Sequence, residues 1–161
     1  MEEKREPVDL ARSDFNFANQ VAQTEGGQQI SRCFACGTCS ASCPVRRIND
    51  KYNPRRIIRQ VLLGLKEEVL KSGFVWLCSA CYSCQERCPQ GVKITDIMTA
   101  LKNMAASSNC VPDGVLAQME LIKKQGKVYA IDEFDNKKRI KAGLPPLPEE
   151  IDEIAQLLSV P

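Results

Sequence analysis

Histidine is absent from this chain of 161 residues. That absence excludes mixed cysteine–histidine zinc fingers, Rieske centres, histidine-ligated haem and every catalytic triad built on an imidazole base. Aromatic residues are scarce, at 6%, so a core must be mostly aliphatic. Long apolar runs are also missing. Nothing approaches the roughly 18 consecutive apolar residues of a membrane-crossing helix, and no membrane association is expected. The opening Met-Glu-Glu-Lys-Arg-Glu-Pro has no apolar segment of the secretory kind, so a cytoplasmic location is expected. Neither sign of charge dominates: 22 Lys and Arg against 20 Asp and Glu leave a formal net charge of +2.

Cysteine, by contrast, is abundant, with nine residues. The cytosol keeps thiols reduced, so metal or redox chemistry is a better expectation than a disulfide framework. Eight of the nine fall into two copies of one pattern. The first is Cys33-Phe-Ala-Cys36-Gly-Thr-Cys39-Ser-Ala-Ser-Cys43-Pro44, and the second is Cys78-Ser-Ala-Cys81-Tyr-Ser-Cys84-Gln-Glu-Arg-Cys88-Pro89. Both read C-x2-C-x2-C-x3-C-P, the spacing of a 4Fe–4S motif. The copies are offset by 45 residues (78 less 33), and Ala35 and Ala80 correspond across them.

This spacing suits a cubane cluster. Three cysteines at three-residue intervals let a short loop wrap three iron corners, with backbone amides turned toward the sulfurs. Proline after the fourth cysteine pushes that cysteine away from helical conformation, so the chain leaves the first cube and can reach a second. In two-cluster ferredoxins the fourth cysteine ligates the other cluster. The expected ligand sets are therefore Cys33, Cys36, Cys39 and Cys88 for one 4Fe–4S cluster, and Cys78, Cys81, Cys84 and Cys43 for the other. Structural zinc favours two C-x2-C pairs separated by a longer loop, which is a different pattern. A site holding a three-iron cluster is the weaker variant. Eight bound thiolates and two oxidised cores would take the formal charge to about −2, removing the overall argument for nucleic-acid binding.

Around the motifs the pattern is helical. Asn53-Pro54 is a start signal, and Ile57, Val61 and Leu65 with Ile58 and Leu62 form one apolar stripe. A short helix is expected over 66–71, ending at Ser72-Gly73. Phe74 and Trp76 read as core or cluster-shielding packing. Thr95-Asp96 opens another helix, with Ile97, Met98, Leu101, Met104 and Ala105 on its buried side, mirroring the Pro54 helix. Pro112-Asp113 starts a third, with Val115, Leu116, Met119 and Ile122 inward and Gly126 as C-cap. Cys110, outside both motifs, reads as a small buried hydrophobe. The basic run Arg46, Arg47, Lys51, Arg55, Arg56 and Arg59 reads as a solvated face or as a dock for an acidic partner, with some compensation of cluster charge.

The ends differ in character. A weak helical stretch over 14–23 carries Phe15, Phe17, Ala18 and Val21. Leu144-Pro-Pro-Leu-Pro148 precedes a last amphipathic helix opened by Glu149-Glu150, with Ile151, Ile154, Leu157 and Leu158 as its stripe. Neither end has the apolar material to order itself alone, so both are expected to lie against partner chains. The expected division is an N-terminal arm over 1–28, an all-α ferredoxin-like domain with two 4Fe–4S clusters over 29–126, and a C-terminal arm over 127–161.

The doubled motif around a helical insert resembles the alpha-helical ferredoxin domain, which also occurs in the iron–sulfur subunits of succinate dehydrogenase and fumarate reductase. Those carry a plant-type C-x4-C-x2-C domain first, and nothing of that kind precedes Cys33. The Phe-Ala-Asn-Gln-Val-Ala segment from Phe17 and the Cys-Phe-Ala-Cys-Gly-Thr-Cys stretch are similar to the C subunits of heterodisulfide reductase from methanogens, over roughly residues 14–125. The resemblance implies an electron relay between a flavin-carrying A subunit and a B subunit that reduces the coenzyme M–coenzyme B heterodisulfide. It also allows a larger assembly that holds a hydrogenase or formate dehydrogenase. The chain has no Cys-Cys-Gly motif, no Gly-x-Gly-x-x-Gly fingerprint and no acid–base constellation, in keeping with a subunit lacking its own substrate site. The same module in a glycerol-phosphate, lactate or thiol:fumarate system, and a free diffusing ferredoxin, are the alternatives.

Overall fold

A computed structural model describes residues 10–148 and 150–158. The expectations for residues 1–9, for Glu149 and for residues 159–161 lie outside the described residues. Among the described residues the fold is all-α, with no strand. The helices are α1 (Phe17–Gln23), α2 (Thr38–Ala41), α3 (Pro44–Ile48), α4 (Pro54–Leu62), α5 (Lys66–Lys71), α6 (Ser83–Glu86), α7 (Ile94–Ser107), α8 (Asp113–Gln125), α9 (Glu133–Lys141) and α10 (Asp152–Leu158). No helix among the described residues is long and apolar enough to cross a membrane. The chain divides between Cys110 and Val111 into two compact units. The sequence pattern places this boundary at 126; the earlier division reflects the packing of α8 with α10, in the second unit.

The first unit is built around α4 and α7. The Asn53 side chain accepts from the Arg56 N–H at 3.2 Å, and Pro54 occupies the first helical position, where a missing N–H costs nothing. Ile57, Ile58 and Val61 are buried. α4 ends before Gly64, whose φ of +75° is the left-handed conformation that closes a helix, and the Asp14 N–H donates to the Gly64 carbonyl at 2.8 Å. α7 buries Ile97, Met98, Leu101 and Ala105, while Met104 is half-buried. It begins at Ile94, so Thr95 is not its cap; the Thr95 hydroxyl lies 3.6 Å from Cys84 Sγ instead.

The N-terminal segment departs from expectation. Phe17 and Val21 on α1 are fully buried in the core of the first unit, where α1 packs on α4 and α7. Phe15 is 87% exposed. The arm packs on this chain's own core because its two apolar residues sit four apart, on one helix face. Lys66 ties it down further, donating to Gln20 Oε1 at 2.8 Å. Phe74 and Trp76 are half-buried against the same core, and Trp76 Nε1 donates to the Cys110 carbonyl at 3.2 Å. Cys110 itself is half-buried rather than buried, its thiol donating to the Ser108 carbonyl at 3.4 Å.

In the second unit no residue of α8 is buried, and Leu116 and Met119, expected inward, are each 46% exposed. Gly126 caps α8 as expected, with φ +68°. A Cβ there would fall 2.9 Å from Ile151 Cβ and 3.1 Å from Ile154 Cβ, so a glycine lets the start of α10 close on the end of α8. α10 starts at Asp152, and its Leu157 and Leu158 stay exposed. Asp132 caps α9, accepting from the Asp135 N–H at 2.9 Å. Asn136 holds Leu147 at both backbone groups, at 2.8 and 3.0 Å, which fixes the proline-rich segment along α9.

Candidate metal centres

The two cysteine loops repeat their backbone as well as their spacing. Ala35 and Ala80 have φ of +59° and +50°, and Gly37 and Tyr82 have φ of +92° and +62°. Each pair is related by the 45-residue offset (78 less 33). Left-handed residues alternating with ordinary ones turn successive N–H groups to one side, which makes a concavity suited to an anion. For alanine and tyrosine this conformation costs on the order of 1–3 kcal/mol apiece, a cost that clusters at functional sites. The helices that follow, α2 and α6, also start at equivalent positions, and they pack against each other.

Two cavities result. One is lined by Cys33, Cys36 and Cys39 from the first loop, together with Cys88 from the end of the second. The other is lined by Cys78, Cys81 and Cys84, together with Cys43 from the end of the first. All eight motif cysteines are thus brought together in two groups of four, each joining three cysteines of one loop to the trailing cysteine of the other, and Cys110 lines neither cavity. The trailing cysteines are reached differently. Cys43-Pro44 runs directly into α3, whereas Cys88-Pro89 leads into a turn that brings the Val92 N–H to Cys88 Sγ at 3.3 Å. Among the described residues no carboxylate lines either cavity. Four soft sulfur donors around a concave backbone fit an iron–sulfur cubane.

Exposure follows the loop position. Cys36 and Cys81 are exposed, while Cys39, Cys84 and Cys43 are buried. Hydrogen bonding to Thr38, whose Oγ1 lies 3.4 Å from Cys36 Sγ, holds the Cys36 thiol below its usual range. The Ser83 N–H does the same for Cys81, helped by the Ser83 hydroxyl at 3.6 Å. Burial pushes the Cys39 and Cys84 thiols up. The thiolate is the form that binds metal, so capture displaces protons from these buried sulfurs. Tyr52 is 2% exposed and lines the second cavity; burial first, then the charge of Cys78, keeps its phenol well above the usual range, so it remains a neutral donor.

Several of these residues escape a reading of the sequence. Thr38 and Ser83 could have been found, because the offset pairs two hydroxyl residues just before the third cysteines. Tyr52 carries no signal of its own. Of the basic run, Arg47, Lys51, Arg55, Arg56 and Arg59 are exposed and Arg46 is half-buried, and only Arg55 lines a cavity. Phe74 and Trp76 line neither cavity and are core packing.

Residues 29–92 match the model of the 4Fe-4S dicluster domain, a span that contains all eight motif cysteines. The chain is 35% identical over 152 residues to the C subunit of the H2:CoB-CoM heterodisulfide, ferredoxin reductase of Methanothermobacter marburgensis, covering 90% of this chain and 81% of that protein. It is 37% identical over 132 residues to the C subunit of the ferredoxin:CoB-CoM heterodisulfide reductase of Methanosarcina mazei, covering 82% and 81%. With the iron–sulfur C subunit of the CoB–CoM heterodisulfide reductase of Methanopyrus kandleri it shares 34% over 147 residues, covering 87% and 76%. Two 4Fe–4S clusters are the cofactors of this chain.

Proposed function

Because the chain belongs to the family of heterodisulfide reductase iron–sulfur C subunits, we propose that it relays single electrons within such a reductase, from a flavin-bearing A subunit to the B subunit that reduces the coenzyme M–coenzyme B heterodisulfide. The observation that carries this reading is the presence of two four-cysteine cavities in one helical unit, each with one exposed cysteine at its edge. Cys33, Cys36, Cys39 and Cys88 hold one cluster, and Cys43, Cys78, Cys81 and Cys84 the other. A 4Fe–4S cluster supplies a one-electron couple when bound. The protein binds and spaces the pair, keeps water from Cys39, Cys84 and Cys43, and leaves Cys36 and Cys81 open toward partners. Among the described residues, apolar and hydroxyl side chains surround the cysteines in both linings, a setting that suits cluster binding. In the cytoplasm, a hydrogenase or formate dehydrogenase in the same assembly is the proposed upstream source.

Anaerobically purified protein is expected to carry about eight irons and eight acid-labile sulfides, as two cubanes require. Cys110→Ser leaves that count unchanged. About four irons, the count for one cubane, or tightly bound zinc in their place, would overturn the assignment.

The second unit supports a docking role. Leu116, Met119, Tyr129, Phe134, Ile140 and Leu157 are all large apolar residues at least 46% exposed, apolar surface that a partner could cover. Deleting residues 145–161 is expected to leave both clusters in place and to reduce the yield of co-purified partner subunits. Hydrogen exchange should find α10 more protected in the complex than in the isolated chain; equal partner recovery with and without the segment counts against docking there.

A further inference from the structure

The two cavities share a backbone and a donor set but differ in charge. Among the described residues Arg55 is the only charged side chain lining either of them, and it lines the first. Its place is built from the cysteine loop itself. The Arg55 N–H donates to Ser40 Oγ at 3.1 Å, and the Ser40 hydroxyl donates to Asn53 Oδ1 at 2.6 Å, so the start of α4 is tied directly behind Cys39. The guanidinium lies over Gly37, where a Cβ would fall 3.3 Å from Arg55 Nη1. Across the offset between the two motifs, Tyr82 stands at the place of Gly37 and the buried Ala100 at the place of Arg55. Lys102 donates to the Cys78 carbonyl of the second loop at 3.0 Å and is outside the cavity lining.

We propose that Arg55 sets the reduction potential of the cluster at Cys33, Cys36, Cys39 and Cys88 above that of the cluster at Cys43, Cys78, Cys81 and Cys84, so that electrons run from the second cluster to the first. The inference rests on the ligand assignment proposed above. Reduction adds one negative charge, and a guanidinium at the cavity wall stabilises the reduced form through Coulomb attraction. Cluster potential also depends on hydrogen bonds to the sulfurs. Thr38 and the Val92 N–H lie at sulfurs of the first site, at 3.4 and 3.3 Å, and Thr95, at 3.6 Å, and the Tyr52 phenol at sulfurs of the second. Arg55 places a full charge at the first cavity, where the second has the neutral phenol of Tyr52 beside Cys78.

The test is an EPR-monitored redox titration of the full-length, cluster-loaded protein and four variants. Arg55→Gln is expected to move one midpoint to more negative potential and leave the other in place. Arg55→Lys, which keeps the charge, moves the same midpoint less. Thr95→Val, which removes a donor beside Cys84, moves the midpoint that Arg55→Gln leaves alone. Lys102→Gln leaves the Arg55-sensitive midpoint unmoved. Raising the salt concentration narrows the gap between wild type and Arg55→Gln, because Arg55 is exposed and its field is screened. Unmoved midpoints in Arg55→Gln, equal shifts of both, or a Lys variant that behaves like the Gln variant would overturn the proposal. Should Arg55→Gln lose iron, the Lys variant and the salt dependence of the wild type decide the matter on their own. The ligand assignment fails separately, through the iron count of the wild type.

Discussion

Replacing Cys43 with serine is expected to destroy the cluster at Cys78, Cys81 and Cys84, which begins 35 residues further along the sequence (78 less 43), while the cluster beside it in the chain survives. The cavity linings supply the reason. Cys43 shares a cavity with the second loop, and Cys88 shares one with the first. Cys43 is 6% exposed, so a serine hydroxyl there would be a poor iron ligand in a site that water cannot repair. Iron should fall from about eight to about four per chain, the count for a single cubane. Cys88→Ser should produce the reciprocal loss, and the EPR signals remaining in the two variants should differ. Loss of the same signal in both would sink the crossed assignment. So would loss of the cluster at Cys33, Cys36 and Cys39 in the Cys43 variant.

The second large effect lies far from the clusters. Phe17→Ala should destabilise the isolated chain by about 3–5 kcal/mol, the usual cost of truncating a buried phenylalanine and leaving a cavity. Phe17 has no exposed surface, and α1 packs on both α4 and α7. Phe15→Ala, two residues earlier and 87% exposed, should change stability by less than about 0.5 kcal/mol. Urea unfolding of the two variants, with and without partner subunits, measures the contrast. If both were neutral in the isolated chain, the N-terminal segment would depend on a partner for its order, as the sequence pattern alone suggests.

That contrast marks where sequence patterning misleads. Phe15, Phe17 and Val21 look alike in composition, and a seven-residue helix is too short to predict its own burial. Only the long-range packing of α1 decides which of them is core. Leu116 and Met119 fail the other way: their helical spacing predicts an inward stripe, but α8 has too little packed against it to cover them. Amphipathic periodicity states which residues share a face; it does not state whether anything covers that face.

The sequence by itself determined what is local. The C-x2-C-x2-C spacing dictates the loop, the Asn53-Pro54 pair dictates the start of α4, Gly126 dictates the end of α8, and eight cysteines without a histidine dictate the class of cofactor. These depend on residues within about one or two turns of each other, whose geometry the chain's own sterics set. Tertiary structure decided what is distant. It brought Cys88 into the cavity of Cys33 and Cys43 into that of Cys78, turned Thr95 toward Cys84 instead of into a cap, buried Tyr52 beside the second site and laid Arg55 over the first. Each of these closes a long loop, and what holds such a loop shut is the apolar area buried when α1, α4, α5 and α7 pack together, a quantity that no single motif encodes.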